Sequence, residues 1–91
     1  MATIAVWIRV EEECIVQSLR DTGQRLGGVD GEVTLDLSAV NRIDASALSA
    51  MAELASIADD KGIKVVLRGV NVEIYRVLKL LKLASRFSFG N

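Results

Sequence analysis

The 91 residues are about half apolar and carry 11 basic and 12 acidic side chains, for a formal charge of −1, with no histidine and no proline. A chain this short builds one core, and so one domain over residues 1–91. The balanced charge offers no long-range field for nucleic acid or an anionic membrane, and the missing histidine removes the commonest general base and metal ligand.

Thr3–Val10 is short, β-branched and bounded by charge, which predicts a strand. Glu11, Glu12 and Glu13 follow; three acids suit the positive end of a helix dipole, and a helix is expected through about Leu26. Ile15, Val16, Leu19 and Leu26 share its inner face. Cys14, the single cysteine, excludes an internal disulfide or a multi-thiolate zinc site. It reads as an inert, semi-buried small hydrophobe. Gly27 and Gly28 end the helix through a left-handed C-cap. The Gly-Gly-Val-Asp-Gly segment is a turn: it lacks the Lys-Ser/Thr of a phosphate loop and follows a helix, not a strand.

Glu32–Leu37 is the second strand and Ala45 to about Asp60 the second helix. Leu48, Met51, Ala52, Ala55 and Ala58 form a narrow stripe of mostly small residues that can lie close against a sheet. Lys61-Gly62 closes that helix, Ile63–Arg68 is the third strand, and Gly69 turns the chain. A third helix is expected from about Val72 to Leu83, with Ile74, Val77, Leu78 and Leu81 inward. The alternating tail Arg86-Phe87-Ser88-Phe89 adds an edge strand or covers the sheet. The order β-α-β-α-β-α argues for an α/β sandwich, a small and mostly parallel sheet flanked by helices. With only four aromatic side chains, the core has to be aliphatic. No apolar run is long enough to span a bilayer and the start lacks a secretion pattern, so a cytoplasmic domain without direct membrane insertion is expected.

Asp44 is placed as the N-cap of the second helix, with Ala45 at N1 and Ser46 at N2. Its carboxylate then accepts from a first-turn amide, contributing roughly 1 kcal/mol; that role needs no function, and a serine in a first turn needs none either. The setting adds a second possibility. The loop after a parallel strand, opening a helix, is where ligands and partners are usually received. Phosphate on Ser46 would add about −1.5 to −2 charges there. The helix would tolerate them and a partner docked on the same turn would not. The result would be a release switch that leaves the fold intact.

The stretch Leu35-Asp36-Leu37-Ser38-Ala39-Val40-Asn41-Arg42-Ile43-Asp44-Ala45-Ser46-Ala47-Leu48 resembles the signature of STAS domains, the small α/β modules of bacterial anti-sigma factor antagonists. That signature is a hydrophobic strand ending in aspartate, a short loop, then hydrophobic-Asp-Ser/Thr-Ser/Thr-Gly-Leu. Lys61–Val70 resembles the family's helix-Gly-strand-Gly-Val segment, and Val77–Leu83 its Leu-x-x-x-Gly-Leu third helix. The resemblance implies a STAS-like β-α-β-α-β-α fold and a binding role without catalysis or cofactor. The chain would sequester a kinase-type anti-sigma factor, itself a serine kinase, until Ser46 is phosphorylated, and so act in signalling and transcription regulation. Ser38, Asn41, Asp44, Ser46, Ala47, Ser49, Met51 and Glu53 would contact the partner. Ala45 replaces the first Ser/Thr, and Ala47, in place of the glycine, adds a methyl group at the docking surface. The alternative role within the resemblance is an accessory subunit of a lipid-transport ABC transporter that grips its ATPase subunit through the same helix. A third reading, from another class, is a small flavodoxin-like nucleotide-binding or catalytic domain using Asp36 and Asp44 at a metal or phosphoryl site. It has no histidine, glycine-rich phosphate loop or base–nucleophile pair to support it.

Overall fold

The computed structural model describes residues 4–26 and 31–90. The glycine C-cap at Gly27-Gly28, most of the turn beside it and the first residue of the expected first strand lie outside them. The elements run β1 (Ile4–Arg9), a 3-10 turn (Glu12–Cys14), α1 (Ile15–Arg25), β2 (Gly31–Asp36) and α2 (Ala45–Lys61). They continue with β3 (Lys64–Arg68), α3 (Val72–Leu80), a second 3-10 turn (Ala84–Arg86) and β4 (Ser88–Gly90). All four strands are parallel, in the order β1-β2-β3-β4. The tail therefore takes the first of the two forms expected of it, a short edge strand, entered through a 3-10 turn that the sequence did not announce.

Each connection steps one strand in the same direction, so right-handed crossovers put the three helices on one face of the sheet. Burial alternates along β1 and β3, while β2 buries Val33, Thr34 and Leu35 in succession. The registered rows Val6-Val33-Val65 and Ile8-Leu35-Leu67 turn toward the helices, and Val33, Leu35, Val65 and Leu67 are fully covered. On the opposite face Trp7 is 56% exposed, and the Arg68 guanidinium lies 4.9 Å from its ring centroid. There Asp36 stands in register between Arg9 and Arg68.

The core joins these strand residues to Ile15, Leu19 and Leu26, to Met51 and Leu54, and to Ile74 and Leu78. It is aliphatic apart from Phe87. Against α2, α1 presents Gly23, where a Cβ would meet Ile57 Cδ1 at 3.1 Å. The missing side chain lets Ile57 of α2 pack directly on the α1 backbone.

Four expectations need correction. The acids do not open α1, which begins at Ile15; Glu12 and Glu13 lie in the 3-10 turn before it. Cys14 sits at the N-cap of α1 and is exposed rather than semi-buried. The inward stripe of α2 is Ala47, Ala50, Met51, Leu54, Ala55 and Ala58, with Leu48 and Ala52 only half-buried. In an alanine-rich helix the phase of such a stripe is weakly specified by spacing.

Lastly, α3 stops at Leu80, and Leu81 is exposed. The Leu83 amide donates to Leu78 O at 2.8 Å and the Lys82 amide to Lys79 O at 3.1 Å, a Schellman closure. Lys82 takes the left-handed position, φ 61°, where glycine is usual. The chain reverses there and buries Leu83 in place of Leu81.

Candidate functional site at the start of helix 2

The carboxyl end of β2 leads into α2 through residues 37–44, and each step of that loop is held. The Leu37 amide donates to Arg68 O at 2.7 Å, extending the β2–β3 ladder, and the Val40 amide turns back to Leu37 O at 2.9 Å. Asp36 Oδ1 accepts from the Ser38 amide at 3.0 Å. The Ser38 hydroxyl and amide beside Asp36 hold its carboxyl below the usual range, helped by Arg9 and Arg68. Gly69 makes room for the turn. Its φ is 71°, and a Cβ there would stand 2.8 Å from the Ser38 backbone. Glycine is required on both counts.

Two neighbouring loops lock the next residues. The Asn41 and Arg42 amides both donate to Glu12 Oε1, at 2.7 and 2.9 Å. Those two bonds, the Arg42 amide first, lower the carboxyl's pKa. From the other side, Asn71 Nδ2 donates to Asn41 O at 3.0 Å, while Asn71 Oδ1 caps α3 by accepting from the Ile74 amide at 2.8 Å. Asp44 then caps α2: its Oδ1 accepts from the Ala47 amide at 2.9 Å, and its backbone carbonyl accepts from Leu48 at 3.0 Å. The expected N-cap role of Asp44 is what the geometry contains.

Of the residues named from sequence, Ser38, Asn41, Asp44, Ser46, Ser49 and Glu53 are exposed. Ser46, Ser49 and Glu53 recur at i, i+3 and i+7 and form one outward stripe of α2 beginning at its cap. Ala47 and Met51 are different: they are 0% and 1% exposed. Their side chains belong to the core, and the Ala47 methyl adds nothing to the surface. Sequence reading missed Glu12 and Asn71, which set the loop's shape from outside it. No local signal marks Glu12, since its partners lie 29 and 30 residues away. Asn71 carried one, an Asn just before an apolar-periodic run.

Asp36 and Asp44 do not converge on a ligand. One is turned to Ser38 between two arginines and the other is spent on a helix amide. Among the described residues no group of three or more His, Cys, Asp or Glu could hold a metal. The arrangement offers a rigid, mainly polar edge with a free hydroxyl, suited to contact.

The STAS domain model matches residues 4–91. The chain belongs to the STAS family. It is 38% identical over 55 residues to the intermembrane phospholipid transport system binding protein MlaB of Escherichia coli (strain K12), and equally to that of Shigella flexneri. That match takes in 60% of this chain and 57% of MlaB, so it spans little more than half of the relatives' length. Among solved structures, the NMR structure of the protein TM1081 superposes with a TM-score of 0.78 at 20% identity, covering 96% of this chain and 74% of that one. A crystal structure of TM1081 from Thermotoga maritima, described as a candidate anti-sigma factor antagonist, gives 0.68 at 19%, covering 96% and 73%. A chain of the stressosome, a signal integration and transduction hub, gives 0.74 at 19%, covering 98% and 83%. At such identities the three structures establish the fold, a STAS-type α/β domain.

Proposed function

We propose that this STAS domain is a non-catalytic docking subunit of a phospholipid-transport system, and that it grips the system's ATPase through the start of α2. The observation that carries the reading is the outward stripe Ser46, Ser49 and Glu53. It stands on a helix whose opposite side is core and whose entry loop is fixed by Glu12, Asn71 and Asp44. A surface ordered before binding loses little conformational freedom on docking. The 38% identity over 55 residues to MlaB, a binding protein of an intermembrane phospholipid transport system, supports the transport setting. Such a domain would work in the cytoplasm, where the ATPase hydrolyses nucleotide.

A second reading is favoured by one feature, the exposed Ser46 hydroxyl two residues after the capping Asp44. Here the domain is an anti-sigma factor antagonist that sequesters a kinase-type anti-sigma factor and releases it once Ser46 carries phosphate. Phosphate would bring its charge to a turn that already bears the Asp44 carboxylate, and a partner seated there would have to desolvate both.

The two readings separate in one experiment. Wild-type protein, Ser46→Asp and Glu53→Arg are immobilised in lysate of the native cell, and retained proteins are identified by mass spectrometry. The transport reading expects an ABC-type ATPase on wild type, lost with Glu53→Arg. The antagonist reading expects a serine kinase of the anti-sigma type on wild type, lost with Ser46→Asp. Retention of either partner undiminished by both substitutions sinks the docking surface itself.

A further inference from the structure

The charge of this chain is unevenly distributed. From Ile74 to Asn91 it carries Arg76, Lys79, Lys82 and Arg86 and no acidic residue, whereas residues 1–73 hold 7 basic and 12 acidic side chains. A segment of +4 is joined to a remainder of −5, and the net −1 conceals both. Arg86 is engaged by Asp59 across the fold; among the described residues no carboxylate forms an ion pair with Arg76, Lys79 or Lys82.

The same segment concentrates exposed apolar surface. Six large hydrophobic side chains are exposed among the described residues, and four lie here: Leu80 at 76%, Leu81 at 53%, with Tyr75 and Phe89 less so; Val72, at 69%, stands just before the segment, next to Glu73, and Trp7 lies on the sheet. By helical periodicity Tyr75, Lys79, Val72, Arg76 and Leu80 sweep one continuous outer arc of α3. Leu81 and Lys82 extend it past the helix end. Tyr75 and Phe89 meet edge to face, centroids 5.1 Å apart, and together with Lys79 and Lys82 line a shared hollow. The position of Lys82 is unusual as well. It occupies a left-handed backbone conformation that costs a non-glycine residue of this kind free energy, so a cation is held at this tip against local conformational preference.

We infer that the end of α3 docks on an anionic lipid surface, with Leu80 and Leu81 entering the headgroup layer and Arg76, Lys79 and Lys82 engaging lipid phosphates. The leucines protrude instead of lining a cleft. Exposed leucines flanked by cations suit a deformable, negatively charged interface that can take up the apolar side chains while its phosphates meet the cations. Among the described residues no helix is long and apolar enough to cross a membrane, so the domain lies on the surface and does not span it. The tip is separate from the α2 stripe, and the inference does not depend on which partner that stripe receives.

The test is co-sedimentation of the full chain with vesicles of phosphatidylcholine alone and of phosphatidylcholine with about one third phosphatidylglycerol. Wild type is expected to sediment only with the anionic vesicles, less so as salt rises. Lys79→Ala/Lys82→Ala should weaken binding about 30-fold. Leu80→Ala/Leu81→Ala should weaken it about 10-fold or more. All four residues are exposed, and an unchanged thermal transition confirms that each double variant is folded. Failure of wild type to sediment with anionic vesicles, equal binding to both compositions, or binding that survives either double variant overturns the inference. A tip that binds only an acidic protein would appear as the first of these.

Discussion

The start of α2 and the end of α3 are both exposed, and they are built in opposite ways. At the start of α2, side chains satisfy the backbone, one locally and two from distant parts of the chain. Asp44 takes the Ala47 amide, Glu12 takes Asn41 and Arg42, and Asn71 reaches the Asn41 carbonyl. At the end of α3 the chain closes on itself through Lys82 and Leu83, with Lys82 left-handed, and large apolar side chains point to solvent. One region is shaped by long-range polar locks and presents small polar groups. The other is shaped locally and presents leucines and cations. The first has the rigidity expected of a surface that must match a specific partner. The second tolerates local strain and exposed hydrophobic area, both of which ordinarily cost stability.

Substitution tests the contrast most severely at Gly69. A methyl group there meets Ser38 at 2.8 Å while the backbone sits at φ 71°. Gly69→Ala should cost about 3 kcal/mol, the left-handed penalty plus displacement of the loop. Urea denaturation measures it, and a loss well under about 1 kcal/mol would mean that the α2 entry is not rigidly held. At the other region the sign reverses. Lys82→Gly relieves the left-handed strain and should stabilise the fold by about 1 kcal/mol, seen as a higher urea midpoint at unchanged slope. A destabilised Lys82→Gly would show that the lysine side chain contributes to the fold itself, and the end of α3 would then be held by side-chain contacts as the start of α2 is.

What could be read from sequence follows the same division. Strands and the α2 cap were legible because their signals are local: β-branched runs for β1 to β3, Asp44 ahead of a helical pattern, Gly62 closing α2 in the left-handed C-cap. The shape of the α2 entry was not, because Glu12 sits beside two other glutamates and its role depends on amides brought to it by the fold. Three acids before a helix look alike to a dipole argument. The end of α3 escaped for a different reason: Leu81 falls at an inward position of a continued helix, and no glycine announces that the helix stops before it. Ala47 is expected at the docking surface and Met51 both there and in the inward stripe, because small residues line both sides of α2; packing buries both and leaves Met51 only its inward role.

The smallest expected effect concerns the lock at Glu12. Its carboxylate accepts from two backbone amides, which lowers its pKa from the usual 4.5. A carboxyl whose folded pKa lies below its unfolded one adds stability that is fully present above the unfolded value. That stability is lost as pH falls through the folded one. Glu12→Gln keeps an oxygen that can accept the same amides but removes the charge. The wild type should therefore exceed Glu12→Gln in urea midpoint near neutral pH, and the gap should close as pH drops below about 4.5. Subtraction is essential, because Asp36 is lowered in the same direction by Ser38 and contributes to the pH profile of both proteins. The group is exposed, so the gap should also shrink with added salt. A gap independent of pH would assign the contribution of Glu12 to packing or geometry.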